Sequence, residues 1–219
     1  MKEVIHLKME KQPWEGDLYL PQSPKAVVIF VHGSGSGRYS ARNNFFAQYL
    51  FKNGFASFLF DLTFQAEKES GYFEVNTFSQ RLSLLTEQLK HHKGISHLPF
   101  FFFGGSTGAA VAMASAANHP QLIKGIISRG GRVDLVAAIT PKVKCPVLLI
   151  VGELDREVLY FNQVVFSKLP GKKELKIIPE AGHLFEEPGK LEEAAVATKD
   201  WLCSLLPCEE PSFHMNLHF

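Results

Sequence analysis

Ser106 stands in the short motif Gly-Gly-Ser-Thr-Gly at residues 104–108. A run of apolar residues precedes it at 99–103, and an alanine-rich stretch follows it at 109–114. A strand, a serine flanked by glycines and a helix form the context of the Gly-x-Ser-x-Gly nucleophile elbow, which exposes the serine on a strained turn at a helix N-terminus. The pattern therefore predicts a nucleophilic serine. The alternative is a turn of small residues without a catalytic role.

Asp155 and His183 could complete a nucleophilic mechanism, because each follows a predicted strand. A serine hydroxyl is a weak nucleophile near neutral pH, so an imidazole must take its proton and a carboxylate must orient that imidazole. We therefore interpret Ser106, Asp155 and His183 as a triad. Taken singly, Asp155 could equally cap a helix, and His183 could be a surface or packing residue. Asp61, which follows an earlier predicted strand, is the second candidate for the acid.

Two backbone N–H groups are expected to stabilise the oxyanion of a tetrahedral intermediate. Thr107 follows the nucleophile and would supply one of them. Ser34 or one of its neighbours would supply the other from the His-Gly-Ser-Gly-Ser-Gly segment at 32–37. The same glycines could cradle a phosphate. That interpretation is weaker, since Arg38 replaces the third glycine of Gly-x-Gly-x-x-Gly and no Lys-Ser or Lys-Thr pair completes a P-loop.

The elements that must position these residues alternate between strand and helix along the chain. This alternation predicts an α/β fold, a parallel sheet with helices on both faces, in one domain over 1–206 with a tail at 207–219. An edge hairpin is expected from 4–9 and 17–20. The predicted strands lie at 26–31, 55–60, 99–103, 122–128, 146–151 and 174–178. The predicted helices lie around 45–50, at 78–91, after the elbow to about 118, and at 158–169 and 191–206.

Composition argues against several classes of partner. The 219 residues have a net charge of +1, too small to attract nucleic acid or an anionic membrane. The N-terminus lacks a signal peptide's apolar core, and no apolar run reaches the roughly 20 residues needed to cross a bilayer. Cys145, Cys203 and Cys208 lack metal-ligand spacing. We expect a cytoplasmic protein with reduced thiols, without a metal or cofactor, acting on a small molecule as a monomer or homodimer.

Four segments together resemble a known family. Val-His-Gly-Ser-Gly at 31–35, the elbow, Asp155 after Ile-Val-Gly at 150–152, and Gly-His at 182–183 resemble the α/β-hydrolase superfamily, and within it the dienelactone hydrolase-like group. The resemblance spans roughly 16–206. It implies a three-layer α/β/α sandwich with a mostly parallel eight-stranded sheet, and hydrolysis through an acyl-enzyme. Dienelactone hydrolases proper use a cysteine nucleophile, so the serine here leaves that substrate class open.

Further segments resemble a bacterial subgroup in which the hydrolase domain is often fused to a phosphoribosyltransferase-like domain; they lie at 38–43, 128–135 and 183–189.

Two features bear on the substrate. The segment at 130–144 is too short for a helical lid, which favours an open site and disfavours long-chain lipids. Four arginines on loops near the site suit an anionic group of the substrate; they are Arg38, Arg42, Arg129 and Arg132. The alternative is that they are ordinary surface or loop-pinning residues, as Arg132 would be if it paired with Asp134.

These observations predict a serine esterase of small, anionic carboxylic esters, thioesters or lactones. The alternative is a non-catalytic binding protein of the same fold with a misaligned triad.

Overall fold

A computed structural model describes residues 1–9 and 12–207, which contain an eight-stranded sheet and six α-helices. The strands are β1 (Lys2–Met9), β2 (Gln12–Tyr19), β3 (Val27–Val31), β4 (Ala56–Phe60), β5 (Phe100–Gly105), β6 (Gly125–Arg129), β7 (Val147–Gly152) and β8 (Lys173–Ile178). The helices are α1 (Ala41–Lys52), α2 (Gln65–Ser70), α3 (Val75–Leu89), α4 (Thr107–Asn118), α5 (Arg156–Lys168) and α6 (Lys190–Leu205).

The sheet has the strand order β1-β2-β4-β3-β5-β6-β7-β8. The six strands from β3 to β8 are parallel to one another, and β2 pairs antiparallel with both β1 and β4. This is the mostly parallel, eight-stranded α/β sandwich that the sequence predicts, and that prediction is confirmed.

Each face of the sheet carries its own hydrophobic core. Successive side chains of a strand point to opposite faces, so the phenylalanine run of β5 serves both cores. Phe100 and Phe102 belong to the core beneath α3, α4 and α5, whereas Phe101 and Phe103 belong to the core beneath α1 and α6. Burial on both faces explains why the inner strands are continuous apolar runs.

The register of the parallel strands brings their carboxyl ends to one edge of the sheet. Gly105 of β5 pairs with Arg129 of β6, and Gly152 of β7 pairs with Ile178 of β8. The loops after β3, β5, β6, β7 and β8 therefore open at the same edge, where ligands bind in sheets of this kind.

The segment between β6 and β7 forms two short 3-10 turns, Val133–Val136 and Thr140–Lys142, and contains no α-helix. The prediction of a site without a helical lid from this segment is thus confirmed. The predicted tail lies outside the described residues, apart from Pro207. In the described part of the chain, no helix is long and apolar enough to span a bilayer.

Candidate active site

The turn at Ser106 joins β5 directly to α4. Ser106 has φ 52° and ψ −124°, a strained conformation for a residue with a side chain. The flanking glycines leave room for it. A Cβ on Gly108 would collide with the carbonyl oxygen of Val31, and a Cβ on Gly104 would collide with the backbone of Ala109. The residues at 104–108 thus have the geometry of a strand–turn–helix elbow.

His183 and Asp155 contact each other across two loops. Nδ1 of His183 lies 2.6 Å from Oδ2 of Asp155. A carboxylate only accepts hydrogen bonds, so Nδ1 carries the proton and donates a hydrogen bond to Asp155. In the neutral ring, Nε2 then has a free lone pair. An imidazole in this tautomer can accept a proton from a neighbouring hydroxyl.

Asp155 is also the first residue before α5, but its side chain makes no capping hydrogen bond to that helix. Its side chain is 13% exposed, and the hydrogen bond of its carboxylate within the described residues is the one with His183. The side chain of Asp155 therefore does not serve as a helix cap.

The loop that carries His183 is held at several points. The N–H of Leu154 donates to the carbonyl of Ala181 at 2.9 Å, and the N–H of Gly182 donates to the Glu187 carboxylate at 3.0 Å. Phe185 is buried in the core beneath α1 and α6. These contacts fix the direction from which the His183 ring enters the site.

Ser106 and His183 line one cavity of about 200 Å³ at the carboxyl edge of the sheet. Ser36, Ser40, Asn43 and Leu184 also line this cavity, and their sequence context predicts no role for them in the site. The Ser40 side chain accepts a hydrogen bond from the N–H of Asn43 and so caps α1. A serine directly before a helix is a sequence pattern that could have predicted this start of α1, which forms one side of the cavity.

The two predicted oxyanion donors lie side by side. The N–H of Ser34 donates to Oγ1 of Thr107 at 2.8 Å, and Thr107 is the first residue of α4, where backbone N–H groups are free of intrahelical partners. A Cβ on Gly33 would lie 3.3 Å from Cβ of Ser106, so this loop passes directly over the elbow.

His32 anchors the same loop from below. It is 2% exposed, its Nδ1 lies 2.9 Å from the carbonyl oxygen of Gly33, and its Nε2 accepts from the N–H of Leu62 at 2.7 Å. Burial lowers the pKa of His32, which favours the neutral ring that these two contacts require.

The four arginines separate into two groups. Arg38 pairs with Glu15 at 3.3 Å and lines a different cavity beside Trp14. Arg132 forms a two-point contact with Asp134, at 2.9 and 2.8 Å. Arg42 and Arg129 instead line the cavity that contains Ser106 and His183.

Asp61, the second candidate for the acid, lies away from His183. Its carboxylate accepts from Nζ of Lys68 at 2.7 Å and from the N–H of Arg38 at 3.2 Å, beside Trp14. In the described residues, no group of three or more His, Cys, Asp and Glu side chains is arranged to hold a metal ion.

Comparison with known proteins gives two decisive matches. The family model described as serine aminopeptidase, S33, matches residues 22–139. The dienelactone hydrolase from Anabaena variabilis is 37% identical and superposes with a TM-score of 0.90, over 94% of this chain and 99% of that chain. This chain belongs to the α/β-hydrolase family. Within the family, the hydrolase belongs to the dienelactone hydrolase-like group.

Two further relatives differ from this chain, one in sequence and the other in length. Est1E from Butyrivibrio proteoclasticus is 15% identical and shares the fold of this α/β-hydrolase, with a TM-score of 0.77 over 92% of this chain and 98% of that one. A Mycobacterium tuberculosis protein named as a phosphoribosyl transferase is 41% identical over 212 residues. That match covers 96% of this α/β-hydrolase and 48% of the relative, so the chain spans about half the length of the curated relatives it matches.

Proposed function

We propose that this chain is a serine hydrolase that cleaves small carboxylic esters, thioesters or lactones through an acyl-enzyme. The observation that carries the proposal is the 2.6 Å contact between Nδ1 of His183 and Oδ2 of Asp155, with His183 and Ser106 lining one cavity. A strained serine that shares a cavity with an imidazole oriented by a carboxylate supports acyl transfer through that serine.

In the proposed reaction, Nε2 of His183 takes the proton of the Ser106 hydroxyl while Oγ attacks the substrate carbonyl. Asp155 stabilises the imidazolium that forms. The carbonyl oxygen becomes an oxyanion, which accepts hydrogen bonds from the N–H groups of Thr107 and Ser34. In the free protein, the Ser34 N–H donates a hydrogen bond to the Thr107 hydroxyl. The oxyanion must therefore replace that hydroxyl as the acceptor of the Ser34 N–H.

The intermediate then collapses, and His183 gives its proton to the leaving alcohol or thiol. This leaves an ester between Ser106 and the acyl group. A water molecule then attacks the acyl carbon while His183 takes a proton from that water. His183 finally returns the proton to Oγ of Ser106, which releases the acid and restores the free enzyme. The cavity of about 200 Å³ and the absence of an α-helix between β6 and β7 favour a small acyl group over a long lipid chain.

Turnover of 4-nitrophenyl acetate tests the proposal. Ser106→Ala and His183→Ala should each reduce kcat by about a thousandfold or more, and the double variant should lose little more than either single one. His119→Ala provides the matched control, since His119 ends α4 at the other end of that helix and is exposed. An inactive wild-type protein with a native circular dichroism spectrum would support the non-catalytic binding protein instead.

A further inference from the structure

Strand β8 forms one edge of the sheet and pairs on one side only, with β7, within the described residues. The N–H of Val147 donates to the carbonyl of Lys172, directly before β8, and the N–H of Glu153 donates to the carbonyl of Ile178. The even-numbered residues of this segment therefore bond to β7. Because the backbone groups of successive strand residues point to opposite sides, the odd-numbered residues direct theirs away from the sheet. These residues are Lys173, Leu175 and Ile177.

The outer side of β8 is uncovered within residues 1–9 and 12–207. The backbone groups of its three odd-numbered residues make no hydrogen bond outside the strands there. Glu174, Lys176 and Ile177 are exposed, and Ile177 is 38% exposed although it is an apolar strand residue. A strand edge with free N–H and C=O groups can accept another strand.

The opposite edge of the sheet is closed in a way that β8 is not. The side chain of Gln88 in α3 accepts a hydrogen bond from the N–H of Lys8 at 3.0 Å and donates one to the carbonyl of Lys8 at 2.6 Å. One amide side chain thus takes both outward backbone groups of β1 at that position. No side chain of the described residues takes those of β8, so β8 is the edge that is free to pair.

The sequence of β8 is complementary to itself in the antiparallel direction. When two copies pair about Leu175, Lys173 lies opposite Ile177 of the other copy and Glu174 lies opposite Lys176. Leu175 then exchanges both backbone hydrogen bonds with its own counterpart, as its outward groups require. Glu174 and Lys176 occupy the closely spaced, non-hydrogen-bonded pairs, where opposite charges are stabilising.

Both charged side chains are available for this pairing. Glu174 and Lys176 are exposed, and neither belongs to an ion pair in the described part of the chain. The register also ends where a donor is missing, because Pro179 has no N–H and lies opposite Gly171. The complementary segment therefore runs from 172 to 178, with no proline inside it.

We infer that this chain forms a homodimer in which the β8 strands of two copies pair antiparallel about Leu175. The pairing joins two eight-stranded sheets into one of sixteen strands. It is a closed, two-fold contact, in which each copy offers the same strand and receives the same hydrogen bonds. Glu174 and Lys176 set the register through two identical ion pairs. The inference goes beyond the proposed hydrolase function and does not depend on it.

Single charge reversals test this register. Sedimentation equilibrium should show the wild type as a dimer at about 100 μM. Glu174→Lys places lysine opposite lysine in both pairs, and Lys176→Glu places glutamate opposite glutamate. Each variant should raise the dimer dissociation constant at least about tenfold. Glu69→Lys and Lys124→Glu carry the same changes of charge at exposed positions outside β8 and should leave that constant unchanged.

Mixing the two β8 variants distinguishes the proposed register from a general effect of charge. A heterodimer of Glu174→Lys with Lys176→Glu has opposite charges in both pairs, so the mixture should recover the dimer that each variant loses alone. The double variant Glu174→Lys/Lys176→Glu exchanges the two charges within each copy and should dimerise about as tightly as the wild type.

Hydrogen exchange measured by NMR reads the backbone pairing directly. The amides of Lys173, Leu175 and Ile177 should exchange at least about tenfold more slowly in the wild-type dimer than in either single variant. Circular dichroism establishes that every variant is folded.

Three results would overturn the inference: a monomeric wild type, a dimer that neither reversal weakens, or a mixture that fails to reassociate. A monomeric wild type in which these amides are nevertheless protected would also overturn it, and would show that another segment of the same chain covers β8.

Discussion

Oδ2 of Asp155 lies 2.6 Å from Nδ1 of His183, although the two residues are 28 positions apart and belong to loops after different strands. The contact exists because β7 and β8 are adjacent and parallel, so that their carboxyl ends lie together. Capping of α5 does not explain this geometry, since the Asp155 side chain makes no capping hydrogen bond to that helix.

Asp155→Asn should reduce kcat on 4-nitrophenyl acetate by about a hundredfold to ten-thousandfold, because an amide cannot hold His183 in the required tautomer. The melting temperature should change little, as the side chain caps no helix. Steady-state kinetics and thermal unfolding measure the two effects. Asp61→Asn is the matched control, and a larger loss of turnover in that variant than in Asp155→Asn would reassign the acid.

Gly108→Ala should destabilise the fold by about 2–4 kcal/mol, because its methyl group would collide with the Val31 carbonyl oxygen and force β3 and α4 apart. Urea denaturation gives the free energy of unfolding. Gly71→Ala is the comparison, since no atom lies within 4 Å of a Cβ added at Gly71 and the cost there comes from its φ of 67° alone, so this variant should lose only about 1–2 kcal/mol. Equal losses would show that close packing at Gly108 is unimportant.

The pH dependence of stability should contain a contribution from His32. Its pKa is lowered by burial from the ordinary value of 6.5, so the unfolded chain binds a proton more readily than the folded protein. Stability from this group is therefore complete above pH 6.5 and is lost as the pH falls below that value towards the folded pKa.

Urea denaturation between pH 7.5 and pH 5 measures this loss. In His32→Gln, whose side chain does not titrate, the free energy of unfolding should fall less steeply with decreasing pH. Parallel curves for the two proteins would mean that His32 does not contribute.

Alkylation should distinguish the two cysteines that the structure describes. Burial raises the pKa of the Cys145 thiol to about 12, whereas Cys203 is exposed on α6. Iodoacetamide at pH 8 should therefore modify Cys203 well before Cys145. Peptide mass spectrometry identifies the modified thiol, and esterase activity should survive labelling of Cys203. Loss of activity in step with that labelling would contradict a mechanism without a cysteine nucleophile.

The sequence predicted the inner strands closely because strands buried on both faces are uninterrupted apolar runs. The edge hairpin was less well predicted. The expected strands at 4–9 and 17–20 left Pro13 and Trp14 between them, but both residues lie in β2. Pro13 pairs with β1 and has no counterpart in β4. A proline is tolerated where a strand pairs on one side only. Helix α2 is short and has no buried residue, so it carries no hydrophobic period to predict it.

The candidate triad could be proposed from chain order, but the roles of the arginines could not. Four arginines in loops look alike in a sequence, and their partners lie far along the chain, as Glu15 does from Arg38. Only the local pair between Arg132 and Asp134 could be suggested in advance, and the structure contains it. Arg129 forms no ion pair within the described residues, and only the assembled fold determines which carboxylates lie near it.

Covalent labelling of Ser106 tests the central claim most directly. A fluorophosphonate is attacked by an activated serine, which forms an oxygen–phosphorus bond and releases fluoride. We predict that the folded protein takes up one such group, that tandem mass spectrometry locates it on the peptide containing Ser106, and that Ser106→Ala takes up none. A folded protein that remains unlabelled, or that is labelled at another residue, would contradict the account.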